Sequence, residues 1–158
     1  MSEAEQIILR LGLQPLQPEG GYFKRTWTGR GTEGTAIYFL LTSNTFSAFH
    51  RLKADEIWHH YAGDSVEHWQ LRADSYPFRR QLGGGVLATE PEEPQLVVPA
   101  LTWQGARLAS RTHAQRGWGL LGCTLCPGWR DEDFELGQRS ELCIAFPEHA
   151  SLILSLTR

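Results

Sequence analysis

The sequence lacks the features that mark secreted, membrane-spanning or disulfide-bonded proteins. Its 158 residues include three cysteines, an odd number and too few for the disulfide scaffold of a small secreted domain. No apolar run approaches the roughly 18 residues that a membrane-spanning helix needs. Acidic residues precede the apolar part of the N-terminus, which is the reverse of a secretory signal. We therefore expect a cytoplasmic protein without a membrane partner.

The sequence also lacks a strong charge of either sign. Its formal net charge is -3, its isoelectric point is near 6.1, and its arginines are scattered along the chain. Nucleic-acid partners usually require a concentrated basic patch, so we expect none. A length of 158 residues, of which 41% are hydrophobic, is typical of one globular domain, which we place at 1–158.

Two of the cysteines, Cys123 and Cys126, have the C-x-x-C spacing of metal and redox sites. They lie in a segment typical of a strand, where residues three apart point to opposite faces and cannot hold one metal ion. A redox pair favours a helix N-terminus, whereas Pro127 and Gly128 predict a turn. We expect both cysteines to be structural.

Helices are expected only at the two ends of the chain. Ser2 and Glu5 have the spacing of a capping box, and Gly12 is placed to end the helix that they begin. This helix and its lead-in take residues 1–18. A closing helix with proline in its first turn is expected over residues 147–158.

Strands fill the segment between the helices, residues 19–146. Short runs rich in aromatic and β-branched residues are separated by Gly, Asp, Asn and Pro at intervals of roughly 8 to 12 residues. The last of these runs, at 141–146, is also predicted to be a strand. The pattern predicts an all-β antiparallel sandwich or barrel.

A histidine-rich stretch, residues 49–64, contains three histidines, two aspartates and a glutamate among aromatic and aliphatic neighbours. We interpret it as two neighbouring strands joined by a tight connection near Ala54. Side-chain alternation then directs four residues into an apolar interior: His50, Glu56, Trp58 and His60. Burying such polar groups unpaired costs several kcal/mol. They must therefore pair with each other or bind water, a metal ion or a ligand.

The same stretch resembles the first signature of the cupin superfamily, which His50, Glu56 and Gly63 match. Five segments are further similar to the cupin subfamily numbered five, a domain of unknown function: 18–27, 36–41, 49–64, 120–136 and 146–153. The resemblance implies a double-stranded β-helix, or jelly-roll, cupin barrel with a short helix at each end. It also implies a homodimer, for which we expect Ile57, His59 and Tyr61 to form an outward apolar patch.

The resemblance leaves an incomplete set of metal ligands. Metal-binding cupins use two histidines and a glutamate from the first motif and a histidine from the second. Here Leu52 stands in the place of the second histidine, and the last ligand falls near Asp131 or Glu132. A divalent metal ion held by His50, Glu56 and Asp131 is therefore a candidate cofactor, and such a set suits a hard ion better than zinc.

The function we favour is binding of a small polar ligand in the barrel, with isomerase or epimerase chemistry. Carbohydrate and nucleotide-sugar derivatives are the natural class, because some relatives of the cupin fold are sugar epimerases and isomerases. That chemistry needs a base and an acid on opposite sides of the substrate. His50 or His60 would be the base, Glu56 would fix its tautomer, and Tyr38 would be the acid.

Ligand binding is expected to extend to the first strand and to one core aromatic residue. Tyr22, Arg25 and Thr26 would hold a substrate carboxylate or phosphate, beside Trp58. Three alternatives stay open at this point: a non-catalytic binding protein, a metal-dependent cupin enzyme, and a purely structural pair. In the last of these, His50 and Glu56 hydrogen-bond each other across adjacent strands and hold the barrel shut.

Overall fold

The computed structural model describes residues 1–31, 33–72, 75–110 and 115–158, and the side chains of all of these except residues 75 and 76. The helices are α1 (Glu3–Leu11), α2 (Arg139–Ala145) and α3 (Ala150–Ser155), with single 3-10 turns at Asp131–Asp133 and Pro147–His149. The strands are β1 (Gln14–Pro15), β2 (Tyr22–Thr28), β3 (Thr35–Thr42), β4 (Ser47–Leu52), β5 (Asp55–Gly63), β6 (Val66–Arg72), β7 (Ser75–Leu82), β8 (Gln95–Val98), β9 (Trp103–Leu108), β10 (Trp118–Cys126) and β11 (Phe134–Leu136).

The strands form two antiparallel sheets, which confirms the predicted all-β class. The six-stranded sheet has the order β1-β2-β3-β10-β5-β8, and the five-stranded sheet has the order β11-β4-β9-β6-β7. Alternation along β3 explains how the sheets pack: Phe39 and Leu41 enter the core between them, whereas Leu40 packs with α1 on the outer face.

Helices cover the outer faces of both sheets. The predicted N-terminal helix is confirmed as α1, which begins with the capping box of Ser2 and Glu5 and ends at Gly12 in the left-handed conformation. It packs on the six-stranded sheet through Ile7 and Ile8. The C-terminal helices α2 and α3 pack on the five-stranded sheet in a separate cluster, whose buried members are Phe49, Leu71, Leu142, Ile153 and Leu156.

The prediction of a strand at 141–146 is wrong, because this segment belongs to α2. Its composition of Ile, Cys and Phe is typical of a strand, but the contacts follow helical spacing. Leu142 is the buried residue of the helix, and its carbonyl accepts the backbone N–H of Phe146 four residues later. The strands of the barrel therefore end at Leu136 rather than near residue 146.

The prediction that the two strands of the histidine-rich stretch are hydrogen-bonded neighbours is also wrong. β4 pairs with β11 and β9, whereas β5 pairs with β10 and β8 in the other sheet. The chain changes sheets between Leu52 and Asp55. His50 and Glu56 consequently lie on opposite walls of the interior rather than side by side.

The interior between the sheets is an apolar core over most of its length. Its buried residues are Phe39, Leu41, Trp58, Val66, Leu82, Leu96, Val98, Ala106, Leu121 and Cys123. Cys126, three residues further along β10, is exposed, so the two cysteines occupy different environments as predicted. No helix in the described ranges is both long enough and apolar enough to cross a membrane.

Candidate functional site

A cavity of about 430 Å³ lies between the two sheets, beside the apolar core. Aliphatic and aromatic side chains form much of its wall: Leu16, Phe23, Ile37, Phe39, Leu52, Leu125 and Trp129. Three buried polar residues, Glu19, His50 and Glu56, form what we call the inner end. Two exposed charged residues, Arg25 and Asp131, mark the outer end.

Glu56 is a buried carboxyl group held from behind by two donors. Its Oε2 accepts hydrogen bonds from Gln104 Nε2 at 2.7 Å and Trp58 Nε1 at 3.1 Å. Burial raises the pKa of Glu56 to about 7, against the opposing attraction of His50; Glu19 adds to the rise, and the hydrogen bonds lower it. The carboxyl group can therefore gain or lose a proton near neutral pH.

The donors behind Glu56 are fixed by a third buried residue, His68. Burial lowers the pKa of His68 to about 3, so its ring is neutral. Its Nε2 lies 3.0 Å from Gln104 Oε1, which can only accept, so the ring proton is on Nε2. Gln104 Oε1 also accepts from Trp58 Nε1 at 3.0 Å. These bonds fix the orientation of the Gln104 amide, whose NH₂ group then faces Glu56.

His50 lies on the opposite wall with one ring nitrogen turned toward the cavity. Its Nδ1 is 2.8 Å from the carbonyl oxygen of Ala48, so in the neutral ring Nδ1 carries the proton and donates it. Nε2 lies 3.9 Å from Glu19 Oε2, which is an ionic rather than a hydrogen-bonding distance. Among the described side chains, no hydrogen bond joins His50 to Glu56, so the two do not hold the barrel shut as a bonded pair.

Glu19 is a member of the site that the sequence interpretation missed. It is 7% exposed, and its Oε1 accepts a hydrogen bond of 2.7 Å from Ser47 Oγ. Its backbone carbonyl accepts from Ala48 N at 2.9 Å and from Arg158 Nη1 at 2.6 Å. A residue of the loop before β2 is thus fixed as firmly as a strand residue.

The loop that carries Glu19 depends on the glycine after it. Gly20 has φ of 112°, and a Cβ there would lie 2.2 Å from the carbonyl oxygen of Phe46. Proline before Glu19 and two glycines after it gave the segment the composition of a connector. One feature of the sequence could have identified Glu19: it is a carboxylate within 18–27, one of the five segments that resemble the family.

Two of the predicted residues, Tyr38 and Tyr22, do not line the cavity. Both pack on the outer face of the six-stranded sheet with the residues of α1, and the ring of Tyr38 lies 6.3 Å from that of Tyr61. Alternation explains this placement, because the neighbours of Tyr38, Ile37 and Phe39, face the cavity. The prediction that Tyr38 faces inward as the acid is therefore wrong.

Thr26 and His60 are also outside the cavity. Thr26 is exposed, and its hydroxyl donates to the carbonyl of Ala36 at 3.1 Å. His60 lies beyond Trp58 on β5, next to an irregularity in the pairing with β10, and its Nε2 is 3.2 Å from the carbonyl oxygen of Asp64. Trp58 itself is 1% exposed and acts behind Glu56 rather than on the cavity surface.

The residues predicted to bind a metal ion do not form a metal site. Across the described part of the chain, no three His, Cys, Asp or Glu side chains are grouped closely enough to hold an ion. Asp131 is exposed and accepts a hydrogen bond of 2.8 Å from Trp129 Nε1. Leu52 lines the cavity where the resemblance requires a second histidine. The donor set therefore does not fit a metal ion.

Cys123 lines the cavity but does not have the character of a nucleophile. Burial, followed by the charges of Glu56 and Glu19, raises the pKa of its thiol well above the usual value. A thiol that stays protonated reacts slowly. Its position in the core cluster agrees with the structural role expected from the sequence.

Comparison with known proteins places this architecture in a family. A family model described as cupin superfamily, DUF985, matches residues 5–137. A solved protein from Shewanella oneidensis is 31% identical with a TM-score of 0.88, and the match covers 100% of this chain and 99% of that one. A hypothetical protein from Leishmania major is 28% identical with a TM-score of 0.90, and 99% of each chain is covered.

A more distant likeness supports the fold alone. Oxalate decarboxylase from Bacillus subtilis is 12% identical with a TM-score of 0.60, and the match covers 91% of this chain and 37% of the decarboxylase. No curated protein matches the sequence. The predicted jelly-roll barrel is confirmed by these cupin structures, and the chain belongs to the Cupin_5 (DUF985) family of the cupin superfamily.

Proposed function

We propose that the cavity binds a small polar organic molecule and that His50 and Glu56 exchange protons with it, as in an isomerase or epimerase. One observation carries this proposal. A ring nitrogen that is open to accept a proton and a carboxyl group with a pKa of about 7 line the same cavity from opposite sheets. Pairs of titratable groups with tuned environments are typical of acid–base catalysis.

The dimensions of the cavity support the binding step. A volume of about 430 Å³ lies within the range of small-molecule sites. The apolar wall can exclude water from the carbon skeleton of a ligand, while the polar groups are confined to the ends. Carbohydrate derivatives, the class expected from the family resemblance, are of suitable size.

The hydrogen bonds support the following steps for the proposed reaction. His50 would remove a proton from a carbon next to a carbonyl group, because its Nδ1 is committed to Ala48 and its Nε2 is open. Glu19, with Oε2 at 3.9 Å, would stabilise the imidazolium ion that forms. Glu56 would return a proton to the substrate from the other wall, and the imidazolium would then pass its proton to Glu56, directly or through solvent. The protons balance without any further reactant.

The experiment is a compound screen followed by isotope exchange. Thermal unfolding of the wild-type protein identifies ligands from sugars, amino sugars, sugar acids and sugar phosphates, because a bound ligand raises the melting temperature. Each ligand is then incubated with the protein in deuterium oxide, and deuterium at the carbon next to the carbonyl is measured by NMR. We expect His50→Ala to abolish incorporation, and His149→Ala, in the 3-10 turn at Pro147–His149 and outside the cavity, to leave it unchanged.

Three outcomes would contradict this proposal. A screen in which no compound raises the melting temperature removes the binding step. Ligands that bind without deuterium incorporation remove the catalytic step and favour a non-catalytic binding protein. Equal incorporation by wild type and His50→Ala removes the assignment of the base.

The homodimer remains a prediction from the sequence. Tyr61 is 53% exposed and Val97 46% exposed on the outer face of the six-stranded sheet, and the ring of His59 stacks on Tyr61 with centroids 6.3 Å apart. We propose that this face meets a second copy of the chain. Sedimentation at micromolar concentration should then give twice the mass of the 17.9 kDa chain, and a single-chain mass would refute it.

A further inference from the structure

The N–H and O–H groups that donate hydrogen bonds to Glu19 and Glu56 approach them from the side away from the cavity. Ser47 Oγ donates to Glu19 Oε1, and Gln104 Nε2 donates to Glu56 Oε2, both at 2.7 Å. Trp58 Nε1 is shared between Glu56 Oε2 and Gln104 Oε1. These donors support the carboxyl groups but cannot also serve a ligand.

At the inner end, three side-chain acceptors of the described residues are left facing the cavity. Glu19 Oε2 is 3.9 Å from His50 Nε2, too far for a hydrogen bond. Glu56 Oε1 has no hydrogen-bond partner among the described residues, and it faces the cavity as an acceptor when the carboxyl group is ionised. His50 Nε2 is an acceptor while Nδ1 donates to Ala48. The inner end of the cavity therefore presents acceptors to a ligand.

The charges around the cavity also favour a ligand group that is positively charged. Glu19, Glu56 and Asp131 contribute acidic groups, whereas Arg25 contributes a single guanidinium at the outer end. Glu19 and Glu56 are both buried, and the charge of Glu19 disfavours ionisation of Glu56. A buried cation between them would offset the cost of their burial, whereas an anion would add to it.

We propose that the inner end is a site for a protonated amine, so that the ligand of this cavity is a small organic ammonium compound. An ammonium group has N–H donors and one positive charge, which match the excess of carboxylates and Glu19 Oε2, the acceptor that the proposed proton exchange does not use. The carbon body would contact the apolar wall formed by Ile37, Phe39 and Leu52. Among carbohydrate derivatives, this favours amino sugars over sugar phosphates and nucleotide sugars. The inference rests on the proposed function, because it names the ligand of the same cavity.

The test uses three probes that share one ring and differ in the head group: cyclohexylamine, cyclohexanol and cyclohexanecarboxylate. Their affinities for the full chain are measured by calorimetry at pH 7.5. We expect the amine to bind at least about tenfold more tightly than the alcohol, and the carboxylate to bind most weakly. Glu19→Gln should lower the affinity for the amine about tenfold and change that for the alcohol less than about twofold.

Glu135→Gln is a matched control. Glu135 lies on β11, is exposed, pairs with Arg51 of β4 and does not line the cavity. Its substitution should change the affinity for neither the amine nor the alcohol. If Glu19→Gln does not fold, Glu56→Gln supports the same comparison. Tighter binding of the alcohol or carboxylate, or equal weakening of amine and alcohol by Glu19→Gln, would overturn the inference and leave the proposed function standing. Failure of all three probes would also overturn it, whereas the proposed function is decided by the wider compound screen.

Discussion

The two ends of the barrel interior differ sharply although the same strands build them. On β5, Trp58 enters the apolar core and Glu56, two residues before it, faces the cavity. On β10, Leu121 packs in the core and Leu125 borders the cavity. Where most of the inward side chains are apolar, they fill the space between the sheets. A cavity remains where Glu19, His50 and Glu56 enter.

This contrast between the two ends shows that side chains of the core hold the site residues in position. Gln104 stands at the boundary, 1% exposed, and contacts Trp58 and His68 on one side and Glu56 on the other. Buried polar groups persist only when their partners are fixed. The site therefore depends on core side chains that do not line the cavity.

Matched leucine truncations should give the largest contrast between the two ends. Leu96 is 1% exposed in the apolar core, and Leu96→Ala leaves a new void, so we expect a loss of about 3–5 kcal/mol in the free energy of unfolding. Leu125 borders an existing cavity and has fewer contacts to lose, so Leu125→Ala should cost about 1–2 kcal/mol. Urea unfolding measures both, and equal losses would contradict the contrast.

Substitution of Gln104 should have the next largest effect on the free energy of unfolding. Gln104→Leu removes the acceptor of His68 Nε2 and one donor to Glu56, and leaves both groups buried. Each unsatisfied group costs about 1–3 kcal/mol, so we expect a loss of about 2–4 kcal/mol in urea unfolding. Gln115→Leu, which removes a half-buried side-chain bond to the carbonyl of Ala109, is the control and should cost about 1 kcal/mol. A neutral Gln104→Leu would show that the network does not fix the site.

The alternation of side chains predicted much of this contrast from the sequence. It placed His50 and Glu56 in the interior correctly, because each shares its face with apolar residues. The prediction failed for Tyr38, where the two-residue alternation of a strand was not followed, and for Glu19, where no such alternation applies. Tyr38 lies between two inward apolar residues and so faces outward, and Glu19 lies in a loop, where no period exists.

The sequence pattern also did not determine which strands pair with each other. A connection of two residues between β4 and β5 is typical of a hairpin, yet the chain crosses from one sheet to the other there. Helix α2 was missed because its apolar residues also suit a strand, and the contacts with Phe49 and α3 decide its conformation. Both outcomes depend on distant packing, which a local pattern does not contain.

The pH dependence of stability should show a smaller effect, confined to the cavity end. The pKa of Glu56 rises from 4.5 to about 7 on folding, so the folded state binds more protons between these values and loses stability as the pH rises through them. Glu56→Gln lacks this loss. Relative to wild type, we expect the variant to gain about 2–3 kcal/mol between pH 4.5 and pH 8.

His68 provides an internal control for that comparison. Its pKa is lowered to about 3, so it reduces stability as the pH falls below about 6.5, in the opposite sense to Glu56. It is present in both proteins, and its contribution cancels in their difference. Urea unfolding across the pH range measures that difference, and a constant difference would mean that Glu56 titrates normally.

The most direct test of the account is an NMR titration of the Glu56 side-chain carboxyl carbon, assigned by its absence in Glu56→Gln. We expect a midpoint near pH 7, because the group is buried between Glu19 and an apolar core. A midpoint near 4.5, the ordinary value for a glutamate, would show that the inner end is well solvated and that Glu56 is not a proton donor at neutral pH.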